Sequence, residues 1–137
     1  MKTGETLFDA LGGQPTVDRI VDALYKHIGK NDILLPIFPA DLKESARKQR
    51  LFLAQFFGGP KLYLKERGRP MLPDRHKPFE ITPARRDAWL NCMKQALIDA
   101  EIPEPYFTKI LGMLTIPAQN IVKAQEDSSF KNLLKRY

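Results

Sequence analysis

The chain predicts an all-α fold, and three observations carry that expectation. Apolar residues recur in steps of three and four, the spacing that lines up one face of an α-helix. Glycine and proline punctuate these stretches, and no segment alternates polar and apolar side chains long enough to make a strand. At 137 residues, the whole chain is expected to form a single domain, since a chain of this size buries roughly two-thirds of its unfolded surface in one core.

Residues 6–11 predict a short helix stopped by Gly12-Gly13, after which Pro15 stands in a first helical turn, where a missing N–H costs little. Val17, Ile20, Val21, Leu24 and Ile28 then form one buried stripe with Tyr25 beside it. Ile33 to Phe38, punctuated by Pro36 and Pro39, reads as a turn of helix leading into a corner. The helix over residues 42–57 carries Leu42, Ser45, Ala46, Gln49, Phe52, Leu53 and Phe56 on one face, so Ser45 and Gln49 interrupt a core stripe and need partners. Gly58-Gly59-Pro60 ends it.

Lys61 to Pro73 has no sustained period and contains Gly68 and Pro70, which predicts a long ordered loop. Loops of that length in small domains are usually functional or anchored. Thr82-Pro83 is an N-cap followed by a first-turn proline, and the helix it opens turns Ala88, Trp89, Cys92, Met93, Ala96, Leu97 and Ala100 inward. Ile102-Pro103-Glu104-Pro105 breaks that helix. The last one buries Phe107, Ile110, Leu111, Leu114, Ala118, Ile121 and Val122, and Pro117 in its interior predicts a kink near Met113.

The net charge of +6 raises the question of nucleic acid. The basic residues are dispersed, however, with Lys43, Arg47, Lys48 and Arg50 forming only a small local group. A solvated helix face or an anionic small ligand explains such a pattern, so no nucleic-acid partner is expected. Met1 to Thr6 is polar and no apolar leader or membrane span follows, which predicts a cytoplasmic protein with no membrane partner. Cys92, the only cysteine, cannot pair within the chain, and without Cys-x-x-Cys-His it cannot hold a c-type haem. It is expected to be a buried, inert thiol in a reducing compartment.

One constellation carries chemistry. His76, one of only two histidines, sits at the end of the predicted loop, in Arg75-His76-Lys77-Pro78-Phe79. Ser45 and Gln49 face inward from one helix, and Tyr25 and Trp89 supply donors from two others. Apolar walls, one metal-binding side chain and several hydrogen-bond donors are what a flat apolar cofactor with an open axial position requires. Spacing alone leaves the structural reading open. A lone loop histidine is commonly a surface or capping residue, tryptophan and tyrosine at helical spacing are commonly core, and an inward glutamine can be bridged by water. His27 reads as an exposed residue near a helix end.

Longer runs are more specific. Leu7-Phe8-Asp9-Ala10-Leu11-Gly12-Gly13, Pro36-Ile37-Phe38-Pro39, Phe52 to Pro60 with Leu62-Tyr63, Pro70-Met71-Leu72, Arg75-His76-x-Pro78-Phe79, Ile81-Thr82-Pro83 and Asp87-Ala88-Trp89-Leu90-x-Cys92-Met93 together resemble the group II truncated haemoglobins. The match runs from about Thr6 to Val122, leaving residues 123–137 as a solvated C-terminal extension. The resemblance implies a two-over-two helical sandwich around non-covalent haem b (iron protoporphyrin IX). It makes His76 the proximal iron ligand, and Tyr25, Trp89, Gln49 and Ser45 the distal residues that stabilise a bound ligand. It places Phe38, Lys48, Phe52, Tyr63, Met71, Leu72, Arg75, Phe79 and Met93 in the haem pocket, with Arg75, Lys48 and Tyr63 near the propionates. Two departures bear on function: Pro73-Asp74 stands where members often carry a further basic residue, and Phe38 stands where many carry a second tyrosine, leaving Tyr25 freer to donate.

The function this implies is reversible binding of O2, CO, NO and other small diatomics, with slow O2 release. The alternative is redox turnover of O2 or peroxide, such as nitric oxide oxidation. A chain this short has no room for a flavin reductase domain, so turnover would draw on an external reductase. A monomer or weak homodimer is expected.

Overall fold

The five residues of the first long stripe, Val17, Ile20, Val21, Leu24 and Ile28, are all 0% exposed, and the rest of the chain is arranged about the helix that carries them. Burying side chains of this kind stabilises the fold by about 1.5–3 kcal/mol each. The computed structural model describes residues 5–76 and 79–134, with side chains as far as residue 127. The elements are α1 (Leu7–Leu11), α2 (Gln14–Ile28), a 3-10 turn (Leu35–Ile37), α3 (Lys43–Phe56), α4 (Leu62–Arg67), α5 (Leu72–Arg75), α6 (Pro83–Asp99) and α7 (Tyr106–Leu134). Among the described residues there is no strand. Helix α2 packs against α6 and α3, and α6 against α7, which is the two-over-two arrangement.

Local chemistry sets the helix ends. The Thr6 hydroxyl accepts from the Asp9 N–H and the Thr82 hydroxyl from the Arg85 N–H, both at 3.1 Å, contacts of a kind worth about 1 kcal/mol. Gly12, at φ 104°, closes α1 in a left-handed conformation that favours glycine. At the end of α3 the constraint is space. A Cβ on Gly59 would lie 2.6 Å from the Phe8 ring and 2.8 Å from the Ala54 carbonyl oxygen. Phe8 has little room to retreat, because its N–H is bonded to the Phe57 carbonyl at 2.8 Å. Gly59→Ala is therefore expected to destabilise the protein by about 1–3 kcal/mol, read as a lower urea midpoint. An unchanged midpoint would show that α1 is not held closely against α3.

The structure departs from the sequence expectation in two places. Lys61 to Pro73 is not one long loop, because it contains all of α4 and the start of α5. Elements of six and four residues are too short to display a hydrophobic period, and their stability comes from packing rather than propensity. Tyr63 is buried under Phe52, and the Gln55 side-chain oxygen accepts the Leu64 N–H at 2.8 Å. The second departure is at the C-terminal end. Helix α7 runs through Pro117 and on to Leu134, so the extension past Val122 continues the last helix. The charged residues Lys131 to Arg136 have no described side chains, and Pro78 also lies outside the described residues.

Candidate functional site

A cavity of about 430 Å³ opens among α2, the corner after it, α3, α4, the α5–α6 connection, α6 and α7. That is within the range of about 300–1,000 Å³ usual for small-molecule sites. Of the residues singled out from sequence, His76, Tyr25, Ser45, Gln49, Trp89, Phe38, Lys48, Phe52, Tyr63, Leu72, Arg75 and Phe79 all line it. Helices α2 to α6 and the connections carrying Phe38 and Phe79 contribute them, so residues from across the chain converge on one volume.

His76 caps α5, the one-turn helix Leu72–Arg75. Its Nδ1 lies 2.6 Å from the Leu72 carbonyl oxygen. A carbonyl can only accept, so the proton is on Nδ1, and the Nε2 lone pair is left without a partner among the described residues. This tautomer is the one that binds a metal through Nε2 while a backbone carbonyl holds the ring in place.

Tyr25 and Ser45 are paired, with their oxygens 2.7 Å apart. When Ser45 donates, the tyrosine proton is free to point into the cavity; when Tyr25 donates, it is not. Burial pushes the Tyr25 pKa above its ordinary value, and only partly opposed by Ser45 and Arg50, so the hydroxyl stays protonated. Phe38 meets the Tyr25 ring edge-on at 6.2 Å and competes for no hydrogen bond. The partner of Tyr25 is thus Ser45, which accounts for one of the two polar side chains on the α3 stripe.

The other, Gln49, has no hydrogen-bond partner among the described residues, and neither does the Trp89 indole N–H. Both sit on the cavity wall. Both side chains are only partly buried, so their donors stay accessible at the cavity surface to water or to a molecule placed there.

The cavity rim is basic. Lys48, Arg67, Arg75, Arg85 and Arg86 line it against one carboxylate, Glu44, whose pKa is lowered mainly by its hydrogen bond to Arg47. Arg75 is largely committed elsewhere: its guanidinium donates to the carbonyls of Pro70 at 2.7 Å, of Arg69 at 3.2 Å and of Arg67. It closes the turn between α4 and α5 more than it faces a ligand. Arg67, which sequence reasoning missed, has a buried Nε with no partner and lies over the Tyr63 ring at 5.9 Å. Its signal was the position four residues after Tyr63 on α4, legible only once that stretch is known to be helical.

Met71 and Met93 do not line the cavity. Met71 adopts φ 42° as the N-cap of α5, which turns its side chain outward to 58% exposure. Met93 follows Trp89 by one turn of α6 and is fully buried in the core. Pro117, Ala118 and Ile121 of α7 and Ile81 supply apolar wall that the sequence did not single out. His27 is away from the cavity, and its Nε2 bonds the Asp99 carboxylate at 2.6 Å, tying the ends of α2 and α6. Cys92 is buried beside Asn31, and burial pushes its thiol pKa up, a poor setting for thiolate chemistry.

The cavity suits a flat, largely apolar ring bearing carboxylates, and the surrounding fold is that of the truncated globins. A family model described as bacterial-like globin matches residues 6–123, and the chain belongs to that family. Its cofactor is haem b and its ligands are small diatomic molecules. The chain is 45% identical over 118 residues to the group 2 truncated haemoglobin YjbI of Bacillus subtilis, covering 83% of this chain and 86% of that one. The crystal structure of the group II truncated haemoglobin from Bacillus anthracis superposes with a TM-score of 0.85 at 46% identity, covering 88% and 93% of the two chains. A truncated oxygen-avid haemoglobin from Bacillus subtilis gives a TM-score of 0.83 at 42% identity over 86% and 99%.

Proposed function

We propose that this globin holds haem through His76 and binds O2 reversibly, with a distal set of Tyr25, Ser45, Gln49 and Trp89 that slows O2 release. The observation that carries the reading is the His76 imidazole, held through Nδ1 by the Leu72 carbonyl with Nε2 free at the cavity wall. Haem held there by His76 would supply a ferrous iron able to bind and polarise a diatomic ligand, which the protein's own donors would then meet.

The protein's part is orientation, charge and exclusion of water. The unpartnered indole N–H of Trp89 and the Gln49 amide are donors for a partly negative atom in the cavity. Hydrogen bonds to a charged acceptor are roughly twice as strong as neutral ones, and donors already in place need no rearrangement when charge develops. The Tyr25–Ser45 pair adds a donor only in the arrangement where Ser45 gives its proton to Tyr25. At the rim, Arg67 and Lys48 are the lining cations among the described residues whose charged groups are not hydrogen-bonded within the protein, which suits them to the haem carboxylates; Arg85 and Arg86 are engaged with Ile33, Glu80, Asp87 and Gln119. A donor set that holds O2 tightly favours storage, sensing or redox use over rapid transport. Among the described residues no helix is long and apolar enough to cross a membrane. The buried free thiol of Cys92 fits a reducing compartment, and the cytoplasm is the proposed location.

The absorption spectrum of the purified protein tests this reading. A Soret band, a ferrous form with one strong axial ligand, and a sharp shift on adding CO are expected. A colourless protein, or a ferrous form with two strong axial ligands at rest, would refute it.

A further inference from the structure

The carrier of His76 is a weak element on its own. Helix α5 has only four residues, fewer than an isolated helix needs, and residues 79–82 that follow have no regular structure. One side chain gathers this segment. The Gln125 oxygen accepts the Ile81 N–H at 2.9 Å, and its NH2 group donates to the carbonyls of His76 at 3.1 Å and Phe79 at 2.9 Å. The amide uses both donors and its acceptor, so its orientation is defined by the three contacts. Gln125 stands on α7, which packs against α5, and it lies just past residues 6–123, the span of the family match.

We infer that Gln125 is a positioning residue for the haem-binding histidine: it fastens the His76 backbone to the last helix and so sets where the imidazole meets the iron. The inference rests on His76 being the iron ligand. Leu72 fixes the ring's rotation through Nδ1, whereas Gln125 fixes the backbone from which the ring projects. Partners one bond removed from a metal ligand typically alter metal affinity by about 10–100-fold when lost.

Gln125→Met, which keeps side-chain length and removes the amide, is the test, read by resonance Raman of the ferrous protein and by haem transfer to an excess of an apo-globin acceptor. The iron–histidine stretching band is expected to broaden and move to lower frequency, and haem transfer to accelerate about tenfold. Far-UV circular dichroism should show unchanged helicity. Gln125→Glu, which keeps an oxygen for Ile81 but loses the donors to His76 and Phe79, should move the same band in the same direction, and it serves if the methionine variant does not fold. An iron–histidine band and transfer rate equal to those of the unaltered protein would overturn the proposal. His76→Ala separates the two assignments. If it abolishes the band while the Gln125 variants leave it untouched, the positioning role alone fails; if it leaves the band intact, the proximal assignment fails and this inference with it.

Discussion

His76→Ala is expected to abolish histidine ligation in the ferrous protein and to loosen haem by more than the 10–100-fold typical of losing a mere orienting partner. The imidazole is the one side chain at the cavity whose free nitrogen has the right tautomer, because the Leu72 carbonyl holds the proton on Nδ1. The loss should not be a folding defect. His76 is only partly buried, at the end of a one-turn helix, and lies outside the buried core, so the apoprotein should keep its helicity and urea midpoint. Added imidazole should restore the ferrous spectrum by occupying the space the side chain vacates. A variant whose ferrous and CO-bound spectra match those of the parent would remove His76 from the mechanism.

Trp89→Phe is expected to raise the O2 dissociation rate constant by roughly 10–100-fold. A hydrogen bond to a charged acceptor contributes about 1.5–3 kcal/mol, and each 1.4 kcal/mol is about tenfold. Phenylalanine keeps an aromatic ring against the cavity, smaller than the indole, and removes the N–H, which has no other partner among the described residues. The CO rate should change far less, since CO gathers little charge. Tyr25→Phe should produce a smaller increase than Trp89→Phe, because the tyrosine hydroxyl divides its time between Ser45 and the cavity. Stopped-flow displacement of O2 by CO measures both. Equal rates in parent and Trp89→Phe would mean that the indole serves packing alone.

The long helices were readable from the sequence because their signals are local. A stripe such as Val17 to Ile28 needs only the helical period to declare itself, and Thr82-Pro83 needs only the chemistry of a first turn. Helices α4 and α5 were not readable, because they exist through contacts with Phe52, Gln55 and α7 that lie elsewhere in the chain. The same reason hid Arg67, whose face is defined only when α4 is a helix, and it made Arg75 look like a ligand contact when its donors are largely taken by backbone carbonyls. Met71 and Met93 belonged to the right motifs but do not line the cavity: Met71 is exposed at the left-handed start of α5, and Met93, on the Trp89 face of α6, is fully buried within the core.

The sequence by itself determined the helical class, the principal helix boundaries, the polar intrusion of Ser45 and Gln49 on a core stripe, and the identity of the family to be expected. The first three follow from residue type and spacing over a few turns, whereas the family is what the resemblance of motifs spread from Thr6 to Val122 implies. Only the tertiary structure decided which polar groups are spent within the protein: Tyr25 goes to Ser45 and Gln125 to the His76 segment, while Trp89 and Gln49 have no partner among the described residues. Hydrogen bonds join residues as far apart in sequence as His76 and Gln125, and their partners exist only once helix packing has brought them within about 3 Å.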